Sequence, residues 1–212
     1  MATTSERWQA VVAYLIIPGI DGSDEQHWQS LWEREWGPAA VRIAPASWSV
    51  PDLDDWVEAV QVAHDEVSRH DRPVVLVAHS LGCWAAARWL DGNASGPVAG
   101  AFLVAPPDPR GEVFASRVRT SQPAATFIET STRPLPCPAL VVGSSDDPYC
   151  APEATVDFAA RWQARRHVAD GLGHINSTSG LGAWPQGRAL LDSLTGSDRP
   201  PHGTSSTSGC RR

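Results

Sequence analysis

A serine hydroxyl attacks carbonyl carbon only when a base takes its proton, so a chain that uses serine this way must also supply an imidazole and a group to orient it. Ser80 lies in Ala78-His79-Ser80-Leu81-Gly82. The segment is a G-x-S-x-G nucleophile elbow with Ala in place of the first Gly. Such an elbow is a sharp, strained turn, and small neighbours let its strand and helix approach closely. Ala78 adds only a methyl, and Gly82 fills the other small position. Taken alone, the pentapeptide also reads as a serine-capped helix start. Its place between an apolar run and a helical one favours the elbow.

Seven histidines compete for the role of base: His27, His64, His70, His79, His167, His174 and His202. His64 and His70 belong to an amphipathic helix, His167 to a strand, and His202 to a polar tail. His79 adjoins the serine and is expected to pack or bond locally. His174 follows the last strand in Gly171-Leu172-Gly173-His174, where glycines free the backbone to aim the ring. It is the best candidate. The imidazole needs a carboxylate to fix its tautomer, and Ser144-Ser145-Asp146-Asp147-Pro148 offers two, Asp146 and Asp147. The chain order serine, aspartate, histidine is that of the α/β-hydrolases. An oxyanion hole completes the set. One donor is expected to be the N–H of Leu81, the residue after the serine. The second is expected from Pro18-Gly19-Ile20-Asp21-Gly22, with Ile20 favoured over Gly19 and Pro18 excluded for want of an N–H. Around the same edge Gly19, His27 and Trp28 are the expected substrate-binding positions. Trp28 reads equally as helix-face packing, and His27 as a surface residue.

The elements that would position these groups alternate regularly. Strands are expected at 14–17, 41–44, 73–78, 98–105, 139–143 and 166–169. Helices are expected from a Ser23-to-Gln26 capping box onward, then at 51–70, 81–90, 152–162 and 184–194. Trp28, Trp32 and Trp36 recur every four residues on one helix face. Along 152–162 the inward residues are expected to be Val156, Ala159 and Trp162. Such alternation predicts an α/β three-layer sandwich with a mostly parallel six-stranded sheet. In that architecture ligands bind beyond the carboxyl ends of the strands, where every loop named above falls. The interval 106–138 has few apolar residues and predicts little or no lid. One domain is expected over 1–195, with a disordered Ser/Thr/Gly/Pro tail over 196–212.

Composition narrows the chemistry further. The chain has 212 residues, a net charge of −7 and 17 basic residues, all of them arginine. The absence of lysine rules out a pyridoxal Schiff base, a Ser-Lys dyad and a lysine-bearing phosphate loop. The acidic balance argues against nucleic acid as a partner. No apolar run approaches a membrane span, and the amino-terminal segment lacks a signal-peptide core, so a cytoplasmic setting is expected. Four cysteines show no C-x-x-C pairing and no zinc-ligand spacing. No metal or organic cofactor is expected.

Several segments together resemble a known family. They are Ile17-Pro18-Gly19, Gln26-His27-Trp28-Gln29-Ser30-Leu31-Trp32-Glu33, Val77-Ala78-His79-Ser80-Leu81-Gly82, Ser144-Ser145-Asp146-Asp147-Pro148-Tyr149 and Gly173-His174-Ile175-Asn176. Over about residues 12–194 the chain resembles the compact α/β-hydrolases that include the retinoblastoma-binding serine hydrolase and its bacterial relatives. The resemblance implies Asp147, directly before proline, as the acid, with Asp146 shaping the loop. It also implies an esterase-like serine hydrolase acting on a small ester, thioester or amide. The L-x-C-x-E segment associated with tumour-suppressor binding is not matched: Leu81-Gly82-Cys83-Trp84-Ala85 and Leu135-Pro136-Cys137-Pro138-Ala139 both lack the glutamate, so that partner is not carried over. Two other readings use the same residues. One is an acyltransferase, separated by a product assay with alcohol acceptors. The other is a non-catalytic binding module, which would leave a fluorophosphonate probe unreacted.

Overall fold

The computed structural model describes residues 12–70, 72–92, 98–114, 126–127 and 133–195. Six strands appear in chain order: β1 (Ala13–Ile17), β2 (Ala40–Arg42), β3 (Val74–His79), β4 (Val98–Val104), β5 (Ala139–Ser144) and β6 (Arg165–Ala169). Five longer helices alternate with them: α1 (Trp28–Trp36), α2 (Leu53–Val67), α3 (Leu81–Gly92), α4 (Pro152–Arg161) and α5 (Pro185–Thr195). The sheet order is β2-β1-β3-β4-β5-β6. All five neighbouring pairs run parallel.

Both faces of this sheet are covered, which is why its central strands are apolar throughout. Side chains alternate between two cores. Leu15, Ile17, Leu76 and Ala78 pack with Trp56, Trp84 and Trp162 beneath α2, α3 and α4. Ile16, Val75, Val77 and Phe102 pack with Trp28, Trp32 and Trp184 beneath α1 and α5. Trp32 and Trp184 stack with centroids 6.0 Å apart, and the Arg188 guanidinium lies 4.5 Å from the Trp36 ring. The edge strand β6 opens with Arg165, Arg166 and His167, all exposed, and charge there discourages pairing with another chain. The chain leaves β1 for the edge at β2, then returns past β1 to β3. The sheet order therefore reverses between β1 and β3, and a crevice opens at their carboxyl ends.

Two local expectations are corrected. Ser23 does not cap α1. The Asp24 carboxylate instead accepts from the N–H groups of Gln26 (2.8 Å) and His27 (3.0 Å), which closes a separate turn first. His27 is the cap, its Nδ1 accepting from the Gln29 N–H at 3.2 Å. On α4 the buried face is Thr155, Phe158 and Ala159, one position round from Val156, because Gly143 makes room for Thr155 against β5. Of the interval 106–138, residues 115–125 and 128–132 lie outside the described part, as does the tail 196–212. Phe127 is fully buried, edge-on to Trp56 at 5.6 Å. Among the described residues, no helix is long and apolar enough to cross a membrane.

Candidate active site

Ser80 occupies the one-residue turn between β3 and α3 with φ +53°, a left-handed conformation that a serine adopts only under constraint. The constraint is close packing on both sides. A Cβ on Gly19 would lie 2.6 Å from Ser80 Cβ, and one on Gly82 would collide with the carbonyl oxygens of Ile17 and Pro18. Glycine at these two positions is what lets the β1 loop lie flush against the elbow. The Ser80 N–H donates to Val104 O at 2.9 Å, tying the turn to β4.

The loop after β6 brings His174 to the same spot. Ser80 Oγ and His174 Nε2 are 2.9 Å apart. On the other side of the ring, His174 Nδ1 lies 3.0 and 2.9 Å from the two carboxylate oxygens of Asp147. A carboxylate accepts, so Nδ1 carries the proton and Nε2 is left to accept from the hydroxyl. The Asp147 side chain is 1% exposed and the His174 side chain 11%. The Tyr149 N–H donates to Asp147 Oδ1 at 2.9 Å, and the Tyr149 ring packs edge-on to the imidazole at 4.6 Å.

Asp146 points elsewhere. Its carboxylate accepts from Ser144 Oγ and from the Gly173 N–H, each at 2.7 Å, which braces the loop that carries His174. The Ser144 hydroxyl, then the Gly173 N–H, hold the Asp146 carboxyl below the usual range. Ser144 Oγ also accepts from the Leu172 N–H at 2.8 Å.

A cavity of about 510 Å³ opens over Ser80 and His174, with Gly19, Ile20, His27, His79 and Leu81 in its wall. In the Pro18–Gly22 turn, the Asp21 N–H donates to Trp48 O and the Gly22 N–H to Gly19 O. Leu81 is the first residue of α3, where a backbone N–H has no partner within its own helix. Phe114, Tyr149, Pro51 and Pro107 supply apolar surface.

Trp28 and His27 differ from the sequence expectation, whereas His79 packs and bonds beside the serine as expected. Trp28 does not line the cavity. It is 1% exposed, packed among Trp32, Trp184 and His79, and its Nε1 donates to Ile175 O at 2.8 Å. His27 lines the cavity but is 3% exposed, so it is not a surface residue. Burial holds its imidazole neutral, its pKa lowered to about 4. His79 lies 4.8 Å from the His27 ring, and its Nε2–H donates to His174 O at 2.9 Å. Burial, then the neighbouring His27 and His174, push its pKa well below the ordinary value. His79 is thereby a neutral donor that holds a backbone rather than a base. Sequence reasoning missed Gln29. Its Nε2 donates to Val77 O at 3.0 Å and Ile17 O at 3.3 Å across the crevice between β3 and β1. The available signal was an amide on the buried side of a tryptophan-rich helix.

A family model described as serine hydrolase matches residues 14–193. The chain belongs to that family. A YdeN-like hydrolase from Pectobacterium atrosepticum is 31% identical, with 89% of this chain and 93% of that one covered and a TM-score of 0.72. The ydeN gene product of B. subtilis is 21% identical over 87% of this chain and 98% of its own, with a TM-score of 0.69. The type II thioesterase BorB from the borrelidin biosynthetic cluster shares the fold at 18% identity, covering 86% and 92%, with a TM-score of 0.57. No curated protein matches the chain. The protein is accordingly a hydrolase of α/β-hydrolase fold.

Proposed function

We propose that the protein cleaves small carboxylic esters, with thioesters and amides as the nearest alternatives, by a Ser80-His174-Asp147 triad and an acyl-enzyme. The observation that carries this reading is the unbroken hydrogen-bonded chain from Ser80 Oγ through the imidazole to Asp147 at the floor of the cavity. His174 Nε2 takes the Ser80 proton as Oγ bonds to the substrate carbonyl carbon. The developing oxyanion is held by the N–H groups of Leu81 and Ile20, and one such donor contributes roughly 2.7–4 kcal/mol to the transition state. The imidazolium returns its proton to the leaving alcohol as the carbonyl–oxygen bond breaks. Water then attacks the acyl-enzyme, its proton passing through the same nitrogen, and Ser80 is regenerated. Asp147 orients the ring and stabilises its charged form throughout.

Gly19 and His27 are proposed substrate contacts, since both stand in the cavity wall. The proposed setting is the cytoplasm, with a small ester-like molecule as the partner. A series of p-nitrophenyl esters of increasing acyl length tests the reading. Highest kcat/KM on short acyl chains is expected, and a rise toward long fatty chains would overturn the assignment of a small acyl group.

A further inference from the structure

Ser80, the Pro18–Gly22 turn and His174 arrive from three distant stretches of chain, yet the first turn of α1 touches the support of all three. Trp28 Nε1 donates to Ile175 O, the carbonyl directly after His174, at 2.8 Å. Gln29 Nε2 donates to Val77 O, on the strand leading into the elbow, and to Ile17 O, just before the turn. Trp28 is 1% exposed and Gln29 is fully buried. Neither belongs to the cavity wall.

The backbone they grip is under strain. Ile175 is β-branched and has φ +49°, a conformation that persists only where surrounding contacts over-determine it. The Trp28 indole on its carbonyl and the His79 imidazole on the carbonyl before it are two such contacts. Gln29 bridges β1 and β3 where the sheet order reverses and the strand ends part. Ile17 O is also the oxygen that a side chain at position 82 would strike, so the grip on it sets how closely the β1 turn approaches the elbow. The Gln29 amide is itself oriented, because Ser23 Oγ donates to its Oε1 at 2.6 Å.

We propose that Trp28 and Gln29 are positioning residues, holding the His174 loop, the β1 turn and the elbow strand at fixed separation through buried N–H donors, without touching substrate. This inference rests on the triad reading above. Its test uses the full chain carrying Trp28→Phe or Gln29→Met, changes that delete the donors and leave an apolar side chain in place. Measured for each are melting temperature, kcat and KM on a p-nitrophenyl ester, the rate of fluorophosphonate labelling, and the low-field proton resonance of the His174 Nδ1–H.

For each variant, still folded at the assay temperature, kcat and the labelling rate are expected to fall about tenfold, with KM within about twofold of the parent. The Nδ1–H resonance is expected to shift or broaden. An unchanged kcat in folded variants would overturn the inference. So would a raised KM at constant kcat, which would make these residues substrate contacts, or a loss of activity that merely follows the unfolded fraction. His174→Ala, run in parallel, separates the two failures. If it retains activity the triad reading falls, whereas if it is inactive and the α1 variants are unimpaired, only the positioning role falls.

Discussion

Asp146 and Asp147 are chemically identical neighbours, and one peptide step divides their work. Asp147 faces the imidazole from a nearly sealed position, while Asp146 secures the loop through Ser144 and Gly173. Asp147→Asn is expected to lower kcat by about 10⁴, because the amide favours the wrong imidazole tautomer. Asp146→Asn should stay within about tenfold of the parent, since it loosens a loop without altering the ring's partner. Steady-state kinetics on one ester compares them directly, and equal losses would contradict the division. From spacing alone either aspartate could serve; only the family resemblance pointed to Asp147. Ser80 and His174 were legible because each follows a strand and each has the small neighbours its turn requires. Trp28 and His79 were not, because a helical or strand pattern shows that a ring is buried but not which carbonyl its N–H meets.

At the scale of elements, the elbow depends on two glycines. Gly82→Ala would drive a methyl into the carbonyl oxygens of Ile17 and Pro18, which belong to the backbone of β1 and its turn. Gly82→Ala is expected to cost about 1–3 kcal/mol of stability by overpacking, read as a lowered denaturation midpoint. An unchanged midpoint would show that β1 and α3 separate more easily than their packing implies. The strands were readable as apolar runs because both faces of the sheet are covered. The start of α1 was misread. Ser23 and Gln26 have capping-box spacing, but the Asp24 carboxylate binds the N–H groups of Gln26 and His27 and delays the helix until His27 can cap it. On α4 the pattern put Val156 inward, whereas Thr155 takes that place against Gly143. A polar residue in a tight slot gives no hydrophobic signal.

For the molecule as a whole, buried histidines couple stability to pH. His27 and His79 are neutral in the fold, His27 with its pKa lowered to about 4 and His79 well below the ordinary 6.5. Unfolded, both rings take up protons near that ordinary value, so falling pH favours the unfolded chain. Stability from these groups is complete above about pH 7 and declines below it, by up to about 1.4 kcal/mol per pH unit for each group. The His27 contribution stops changing below about pH 4. Melting temperature between pH 4 and 8 should therefore fall toward acid, and less steeply in His27→Asn, whose side chain can still cap α1. A flat profile would contradict burial of both rings. The central claim, that distant loops converge to make Ser80 a nucleophile, is tested most directly by reacting the folded protein with a fluorophosphonate and locating the adduct by peptide mass. One adduct on Ser80 is predicted, absent from Ser80→Ala and His174→Ala and from heat-denatured protein. A folded protein that stays unmodified, or that is modified at another residue, would contradict it.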